Sequence, residues 1–360
     1  MQRNDNDHEF FTKSFFISGM KVLSFIIVLA LLLELFSVTL FSKKAATQYK
    51  NAFSKSYSFT TEPENSIDIA LIGSSDLYSG FVPVKIWDRY GYTSTVISTP
   101  KQTVERSCMF LDELLKTQSP KLIIFETDMF YAGIPVKGVD GDAQQVEVIH
   151  ENKMKTIIKT IGNAQIGENI ENHFTVFMFH DAWKKLNIKA LTKMASEKDS
   201  ITCEHGYNFN KIIFPTEDNN RMDFTDELEE IPQENLPYIK RMLDVCRENN
   251  IKAAFIEMPS LTSWSYARYN AVNKLAQDNN IPFVDLNIKD IFNKTQINCE
   301  SDFRDDGNHL NYFGAVKATR FLGEMINDTY GDILTDRRAD KSFAYWQQSS
   351  EDFKEKYNAE

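Results

Sequence analysis

The sequence IDIALIGSSD, residues 67–76, places a short apolar run directly before Gly73 and two serines. Such a run, ending at a glycine, is typical of a buried parallel strand. Glycine permits a tight turn, and Ser75 behind it can present its hydroxyl above a sheet, near backbone N–H groups. An ordinary Ser-rich turn has the same pattern, so the segment predicts a strand and, taken alone, only suggests a nucleophile.

Apolar runs and stretches of helical spacing alternate on both sides of a long interruption. Further strands are predicted at 93–97, 121–125, 253–257 and 282–286, and helices at 105–115, 232–250, 265–279 and 312–330. Strands that alternate with helices of this length predict an α/β fold with a parallel sheet covered by helices on both faces. Ligands of such sheets bind beyond the carboxyl ends of the strands, which is where Ser75 lies.

The sequence pattern divides the chain into five predicted segments. We expect a cytoplasmic tail at 1–21, a transmembrane anchor at 22–42, a polar stalk at 43–65, a catalytic domain at 66–331 and a charged C-terminal tail at 332–360. Within the domain, the strand and helix pattern is lost between about 133 and 231. That stretch is too long for a simple loop, so we predict a helical insertion.

The predicted anchor reads VLSFIIVLALLLELFSVTLF, residues 22–41. About 20 apolar residues in a helix can cross the hydrocarbon core of a bilayer. The following Ser42-Lys43-Lys44 offers no small-residue cleavage site, which favours an uncleaved anchor over a signal peptide. Three basic residues precede the run and four follow it between 43 and 55, a balance that is neutral or slightly favours a cytoplasmic C-terminal domain.

Composition excludes several classes of protein. A net charge of −11 argues against nucleic acid as a partner, because phosphate binding needs surplus Lys and Arg. The four cysteines and six histidines are dispersed, without the spacing of a zinc site. We therefore expect neither a metal nor an organic cofactor, and the sequence cannot pair any disulfides.

A second polar block, Asp305-Asp306-Gly307-Asn308-His309, precedes the last predicted helix of the domain. An Asp three residues before a His can place its carboxylate against the imidazole, fixing the tautomer and stabilising the imidazolium. The other ring nitrogen is then free to take a proton from a serine. This spacing favours Asp306 as the partner of His309, with Asp305 as the alternative. A capping Asp in a polar loop is the plain structural reading.

The two blocks, in this order, resemble those of the SGNH (GDSL-like) hydrolases. In that superfamily the nucleophile follows the first strand in a Gly-x-Ser block, here Gly73-Ser74-Ser75, and an Asp-x-x-His block precedes the final helix, here residues 306–309. The resemblance covers about residues 67–330 without the insertion. It implies a flavodoxin-like sheet and Ser75, Asp306 and His309 as the catalytic residues.

The blocks that form the oxyanion hole depart from the superfamily pattern. The second block, Ser98-Thr99-Pro100-Lys101-Gln102, has Lys101 where glycine is common, and the third, Glu126-Thr127-Asp128, lacks the usual Asn. An ionised carboxylate cannot donate a hydrogen bond to an oxyanion. Tentative oxyanion or substrate residues are therefore Lys101, Gln102, Thr127 and Asp128, and the loss of one donor costs about 10²–10³ in rate.

Within the superfamily, the chain looks most like membrane-anchored proteins of teichoic-acid D-alanylation and polysaccharide O-acetylation operons. The shared features are one N-terminal anchor, a Gly-Ser-Ser-acidic block and an insertion with a His-x-x-Trp element at 180–183. This resemblance implies an extracytoplasmic O-acyltransferase that receives an acyl group, most simply acetyl, from a membrane-bound O-acyltransferase (MBOAT) partner and passes it to a polysaccharide. The alternatives are a carbohydrate esterase and a non-catalytic polymer-binding or scaffold subunit of a synthase complex.

Overall fold

The structure is a computed structural model that describes residues 5–38, 58–133, 202–217 and 222–359. The chain divides into two compact units, one of 1–50 with 144–197 and the other of 51–143 with 198–360. Most of the predicted insertion, including the element at 180–183, lies outside the described residues. Its described parts, 202–217 and 222–231, contain no helix or strand.

In the first unit, the described part is the helix α1 (Asp5–Val38). Large apolar side chains are exposed along it from Ile17 to Leu32. The predicted anchor at 22–42 extends past the end of this helix into residues outside the described part. Among the residues that the structure describes, no helix combines the length and the apolar character needed to cross a membrane.

The second unit contains a five-stranded parallel sheet, with the strand order β2-β1-β3-β4-β5. Its strands are β1 (Ile69–Gly73), β2 (Ser94–Ser98), β3 (Leu122–Glu126), β4 (Lys252–Glu257) and β5 (Phe283–Asp285). This is one of the two common doubly wound orders, so the prediction of an α/β fold with a parallel sheet is confirmed.

Eight helices of the described residues accompany the sheet. They are α2 (Ser75–Gly80), α3 (Pro83–Tyr90), α4 (Val104–Leu114), α5 (Leu236–Glu248), α6 (Tyr266–Asn279), α7 (Lys289–Thr295), α8 (Tyr312–Tyr330) and α9 (Ala344–Tyr357). Short polar side chains cap several of them: Thr103 accepts the N–H of Arg106, and Ser265 accepts that of Arg268. Each cap satisfies a backbone donor that the helix itself leaves free.

Both faces of the sheet are buried. Alternate residues of each strand point to opposite faces, and the residues of both faces are covered. Ile69 and Leu71 of β1 share one core with Leu322 and Ile326 of α8. The intervening Ala70 and Ile72 are also fully buried. Continuous apolar strands of this kind belong inside a sheet with two covered faces, which is what the runs in the sequence predicted.

The segment around His205 covers the free edge of β2, and the C-terminal residues and the segment before β1 pack against it. The His205 carbonyl accepts the Val96 N–H of β2 at 2.9 Å. The His205 ring stacks on Trp346 of α9 at 3.6 Å between centroids, and its Nδ1 lies 2.6 Å from Glu62 Oε1. Trp346 also stacks on Trp87. An unpaired edge invites pairing with other chains, and the segment around His205 prevents it here. The C-terminal residues support that segment through Trp346, a structural role that the sequence did not reveal.

Candidate active site

Ser75 is the first residue of α2, directly beyond the carboxyl end of β1. The preceding Ser74 caps the helix, and Ser75 itself is half-buried and so reachable. Gly73 allows β1 and β3 to approach closely, since a Cβ there would lie 2.5 Å from the Cβ of Glu126 on the adjacent strand β3. Any larger residue at Gly73 would push the two strand ends apart and move Ser75.

His309 faces Ser75 from the loop before α8. Its Nε2 lies 2.9 Å from the Ser75 Oγ, so the structure brings these two residues together. The loop is pinned at its base by a bridge between Phe303 and Leu310. Burial lowers the pKa of His309, and Arg304 lowers it further, while Asp305 raises it. A lowered pKa keeps the imidazole neutral at neutral pH, as a general base requires.

The carboxylate beside His309 belongs to Asp305 and not to Asp306, which the sequence spacing favoured. Asp305 Oδ2 lies 2.6 Å from His309 Nδ1, and its Oδ1 accepts the backbone N–H groups of Asn308 and His309. Gly307, at a φ of 83°, turns the chain between them. The side chain of Asp306 is exposed. The loop thus takes up one extra residue, and the pair has an i, i+4 spacing.

Asn308 is a site residue that the sequence reading did not single out. Its Nδ2 lies 3.2 Å from each ring nitrogen of His309. Its Oδ1 accepts the hydroxyls of Thr262 at 2.8 Å and Ser260 at 3.2 Å. These contacts hold the amide against the imidazole and restrict its rotation. No spacing rule could have indicated Asn308, because Ser260 and Thr262 are far away along the chain.

Two of the tentative oxyanion residues lie in the turn after β2. Lys101 is exposed and has a φ of 51°, a left-handed conformation in which glycine is favoured, as at this position of the SGNH pattern. Gln102 is fully buried. Its side-chain amide accepts the backbone N–H of Thr99 and donates to the hydroxyl of Ser107 at the start of α4. Gln102 therefore shapes the turn, and its amide is not free to bind an oxyanion.

The other two tentative residues follow β3. The Thr127 hydroxyl donates to Glu257 Oε2, so it points into the protein. Asp128 is partly exposed, and its carboxylate lies 3.8 Å from the guanidinium of Arg268. Burial raises the pKa of Asp128, while Arg268 opposes that rise. Thr127 is thus not placed to donate to a reacting group, and Asp128 could do so only when protonated.

A cluster of buried carboxyl groups lies beneath the site, which we call the carboxyl cluster: Asp76, Glu126 and Glu257. One oxygen of each lies within 4.8 Å of one oxygen of the others, a spacing that one cation or shared protons would satisfy. Among the described residues this is the only such group of potential ligands. The three carboxyls come from the start of α2 and from the last residues of β3 and β4, so distant parts of the chain meet there.

Of the known proteins with which the chain was compared, only solved structures are similar to it. No protein-family profile matches the chain, and no curated protein matches it. A Bacteroides fragilis protein named as an acylhydrolase is 13% identical, with a TM-score of 0.35, over 76% of this chain and 95% of its own. A GDSL-like lipase from Bacteroides thetaiotaomicron is 11% identical, with a TM-score of 0.35, over 81% and 99%.

An acetyl xylan esterase is also similar, at 11% identity and a TM-score of 0.34, over 72% of this chain and 99% of the esterase. Because the scores are low, the site is interpreted from its own geometry. Fold and site together define an α/β protein with a Ser–His–Asp hydrogen-bonded chain at the carboxyl edge of a parallel sheet.

Proposed function

We propose that this protein is an acyl-transfer enzyme that forms an acyl-serine at Ser75. The observation that carries the proposal is the continuous chain from the Ser75 hydroxyl through His309 to the Asp305 carboxylate, at 2.9 Å and 2.6 Å. An acceptor at Nδ1 holds the proton on that nitrogen and leaves the Nε2 lone pair free for the serine proton. This division of roles is what nucleophilic catalysis by a serine needs.

The reaction has two steps. His309 takes the proton of Ser75 as its Oγ attacks the acyl carbonyl, and the imidazolium then gives that proton to the leaving group. The acyl–oxygen bond of the donor breaks, and an acyl-serine remains. In the second step His309 takes a proton from the acceptor hydroxyl or from water as the oxygen of that group attacks the acyl carbon. The acyl–Oγ bond then breaks, and the imidazolium returns the proton to the Ser75 Oγ. Asp305 stabilises the imidazolium in both steps.

The negative oxygen that forms in each step needs donors close to Ser75. The N–H of Ser75 is in the first turn of α2, where no helical carbonyl accepts it. The partial positive charge of a helix N-terminus adds a small favourable contribution in the same direction. The Lys101 N–H, in its left-handed turn, is the second donor that we propose.

Trapping the acyl-serine tests the proposal. When the domain of residues 58–360 is mixed with an activated acetyl ester and quenched early, we expect its intact mass to rise by one acetyl group. Peptide mapping should place that group on Ser75, and Ser75→Ala protein should show no such adduct. An unmodified Ser75 in protein that hydrolyses the ester would refute the mechanism, and protein that neither reacts nor hydrolyses would support the scaffold alternative.

We further propose that the acceptor is a polysaccharide hydroxyl, the protein is anchored in the membrane at 22–42 with its domain outside the cytoplasm, and an MBOAT protein supplies the acyl group. The support is the apolar sequence at 22–41, the exposed apolar side chains of α1, and the resemblance of the blocks around Ser75 and His309. The esterase alternative uses the same site with water as the acceptor.

Replacing residues 22–42 with an unrelated spanning helix tests this extension. Ester hydrolysis should be unchanged, because Ser75, His309 and Asp305 all lie outside the replaced segment. Polymer acylation in cells should fall at least severalfold, because the anchor is the segment placed to meet a membrane partner. Polymer-bound acyl groups would be measured by mild alkaline release at matched protein levels.

The control for this experiment is the location of the domain. Protease added to intact cells should digest both the native chain and the swapped chain beyond residue 58. Protection of the domain in either chain would refute the extracytoplasmic location. Equal polymer acylation after the swap would refute a specific role for the anchor, and neither outcome bears on Ser75 as the nucleophile.

A further inference from the structure

Asp76 is a buried acid that the two-step reaction does not use. It directly follows the nucleophile, and its side chain is 3% exposed. Its Oδ1 has no hydrogen-bond partner and lies 3.4 Å from His309 Nε2, the same nitrogen that accepts the Ser75 hydroxyl. A carboxylate placed there would compete with Ser75 for His309, so its protonation state bears directly on the reaction.

The carboxyl cluster cannot carry three negative charges. Its oxygens lie within 4.8 Å of one another, and all three side chains are almost completely buried. Like charges at such separations repel strongly in the low dielectric constant of a protein interior. Groups in this situation take up protons instead.

Hydrogen bonds indicate which member of the cluster ionises first as the pH rises. Glu126 accepts the backbone N–H of Ser74 at Oε2 and that of Asp128 at Oε1, at 2.7 and 3.0 Å. Two such donors favour a carboxylate. Burial raises the pKa of Glu126 to about 8, and it raises the pKa of Asp76 and that of Glu257 well above the ordinary range. Asp76 and Glu257, which lack these backbone donors, are therefore the members that keep their protons as the pH rises.

Protons fit this cluster better than a metal ion. Both oxygens of Glu126 already accept backbone N–H groups, and Glu257 Oε2 accepts the Thr127 hydroxyl. A cation bound through Asp76 would also lie close to His309 Nε2 and oppose formation of the imidazolium. Shared protons satisfy the unpartnered oxygens of Asp76 and Glu257 without either conflict.

We propose, resting on the function proposed above, that Asp76 is a neutral carboxylic acid in the active enzyme and that its ionisation stops acyl transfer. An ionised Asp76 would draw the Nε2 proton of the imidazolium to itself and away from the leaving group. It would also repel the negative oxygen that forms on the acyl carbon next to Ser75. Asp76 thus acts on the reaction through His309 as a positioning residue.

The groups that face Asp76 act together to keep it neutral. Burial raises the pKa of Asp76 most. Asp128 and Glu126 at the end of β3 and Asp305 in the catalytic loop raise it further when they are ionised. Glu257 at the end of β4 completes the cluster. Among the cationic neighbours, Arg304 lowers the pKa of Asp76, and His309 is charged only when protonated.

The direction of the resulting pH dependence follows from the raised pKa of Asp76 and the lowered pKa of His309. Because the pKa of Asp76 is raised, the neutral form persists above the pH at which an ordinary Asp ionises, and it is lost as the pH rises through that pKa. Activity should therefore fall on the alkaline side. Because the pKa of His309 is lowered, the free base is present above that pKa and is lost in acid. The structure therefore predicts a bell-shaped profile whose alkaline limb belongs to Asp76.

The profile of kcat/KM for a soluble ester, corrected for uncatalysed hydrolysis, tests this assignment. In Asp76→Asn protein the alkaline fall should be absent, whatever the absolute rate. In Asp128→Asn protein it should move to lower pH by about 1 unit, because a negative neighbour of Asp76 has been removed. An alkaline limb that is the same in wild-type and Asp76→Asn protein would overturn the proposal.

Infrared spectroscopy tests the same assignment without relying on activity. At neutral pH the wild-type protein should show the C=O band of a buried protonated carboxyl group, and Asp76→Asn protein should lack one such component. Ser75→Ala protein should keep the band, so failure of the acyl-serine mechanism is distinguished from failure of this inference. An unchanged band in Asp76→Asn protein would refute it, as would a tightly bound divalent cation whose removal by a chelator abolishes activity.

Discussion

Ser75→Ala and His309→Ala should each lower kcat/KM for a soluble acetyl ester by about 10³–10⁶-fold, a range set by serine hydrolases in which one triad member is removed. The reason is that the Ser75 oxygen becomes nucleophilic only as its proton moves to His309 Nε2, 2.9 Å away. Without His309 the hydroxyl stays protonated, and without Ser75 the base has no nucleophile to activate.

The double variant separates a catalytic unit from two independent contributions. Ser75→Ala with His309→Ala should be no slower than the slower single variant, because either change already removes the whole acyl-serine pathway. Ser119→Ala, an exposed serine on the turn before β3, is the matched control and should keep wild-type activity. Multiplicative losses in the double variant would show that the two residues do not act together.

The fold could be predicted from the sequence because local and long-range requirements agree. The runs that form β1 and β3 are apolar on both faces, as burial on both sides of a parallel sheet demands. Ser75 was found for a related reason, since the carboxyl end of β1 is where a doubly wound sheet exposes side chains. These inferences needed no knowledge of contacts between distant residues.

The parts that could not be predicted depend on such contacts or on the path of a loop. The role of residues 335–360 appears only when Trp346 meets His205 and Trp87. The carboxyl cluster joins Glu126 to Glu257, which are 131 residues apart by numbering. Asp305 is the partner of His309 because of the turn at Gly307, whereas spacing alone predicted Asp306, one residue later.

The choice between the two neighbouring acids yields the second large prediction. Asp305→Asn should lower kcat/KM by about 10³–10⁴-fold, because an amide in this position can turn its N–H₂ group towards the ring and hold the wrong tautomer. Asp306→Asn should change kcat/KM by no more than about twofold, as exposed substitutions generally do. The two variants make the same chemical change one residue apart, so each controls for the other.

A pH profile adds a test that a purely structural effect of Asp305→Asn would not mimic. Asp305 raises the pKa of His309 by accepting a hydrogen bond from it and by its charge. With that support removed, the pKa of His309 should fall further, and the acid limb of the residual activity should move to lower pH. Circular dichroism and thermal unfolding of both variants would verify that neither substitution has disrupted the fold. A large loss in Asp306→Asn with little loss in Asp305→Asn would contradict the geometry, since the carboxylate 2.6 Å from His309 Nδ1 would then have no part in the reaction.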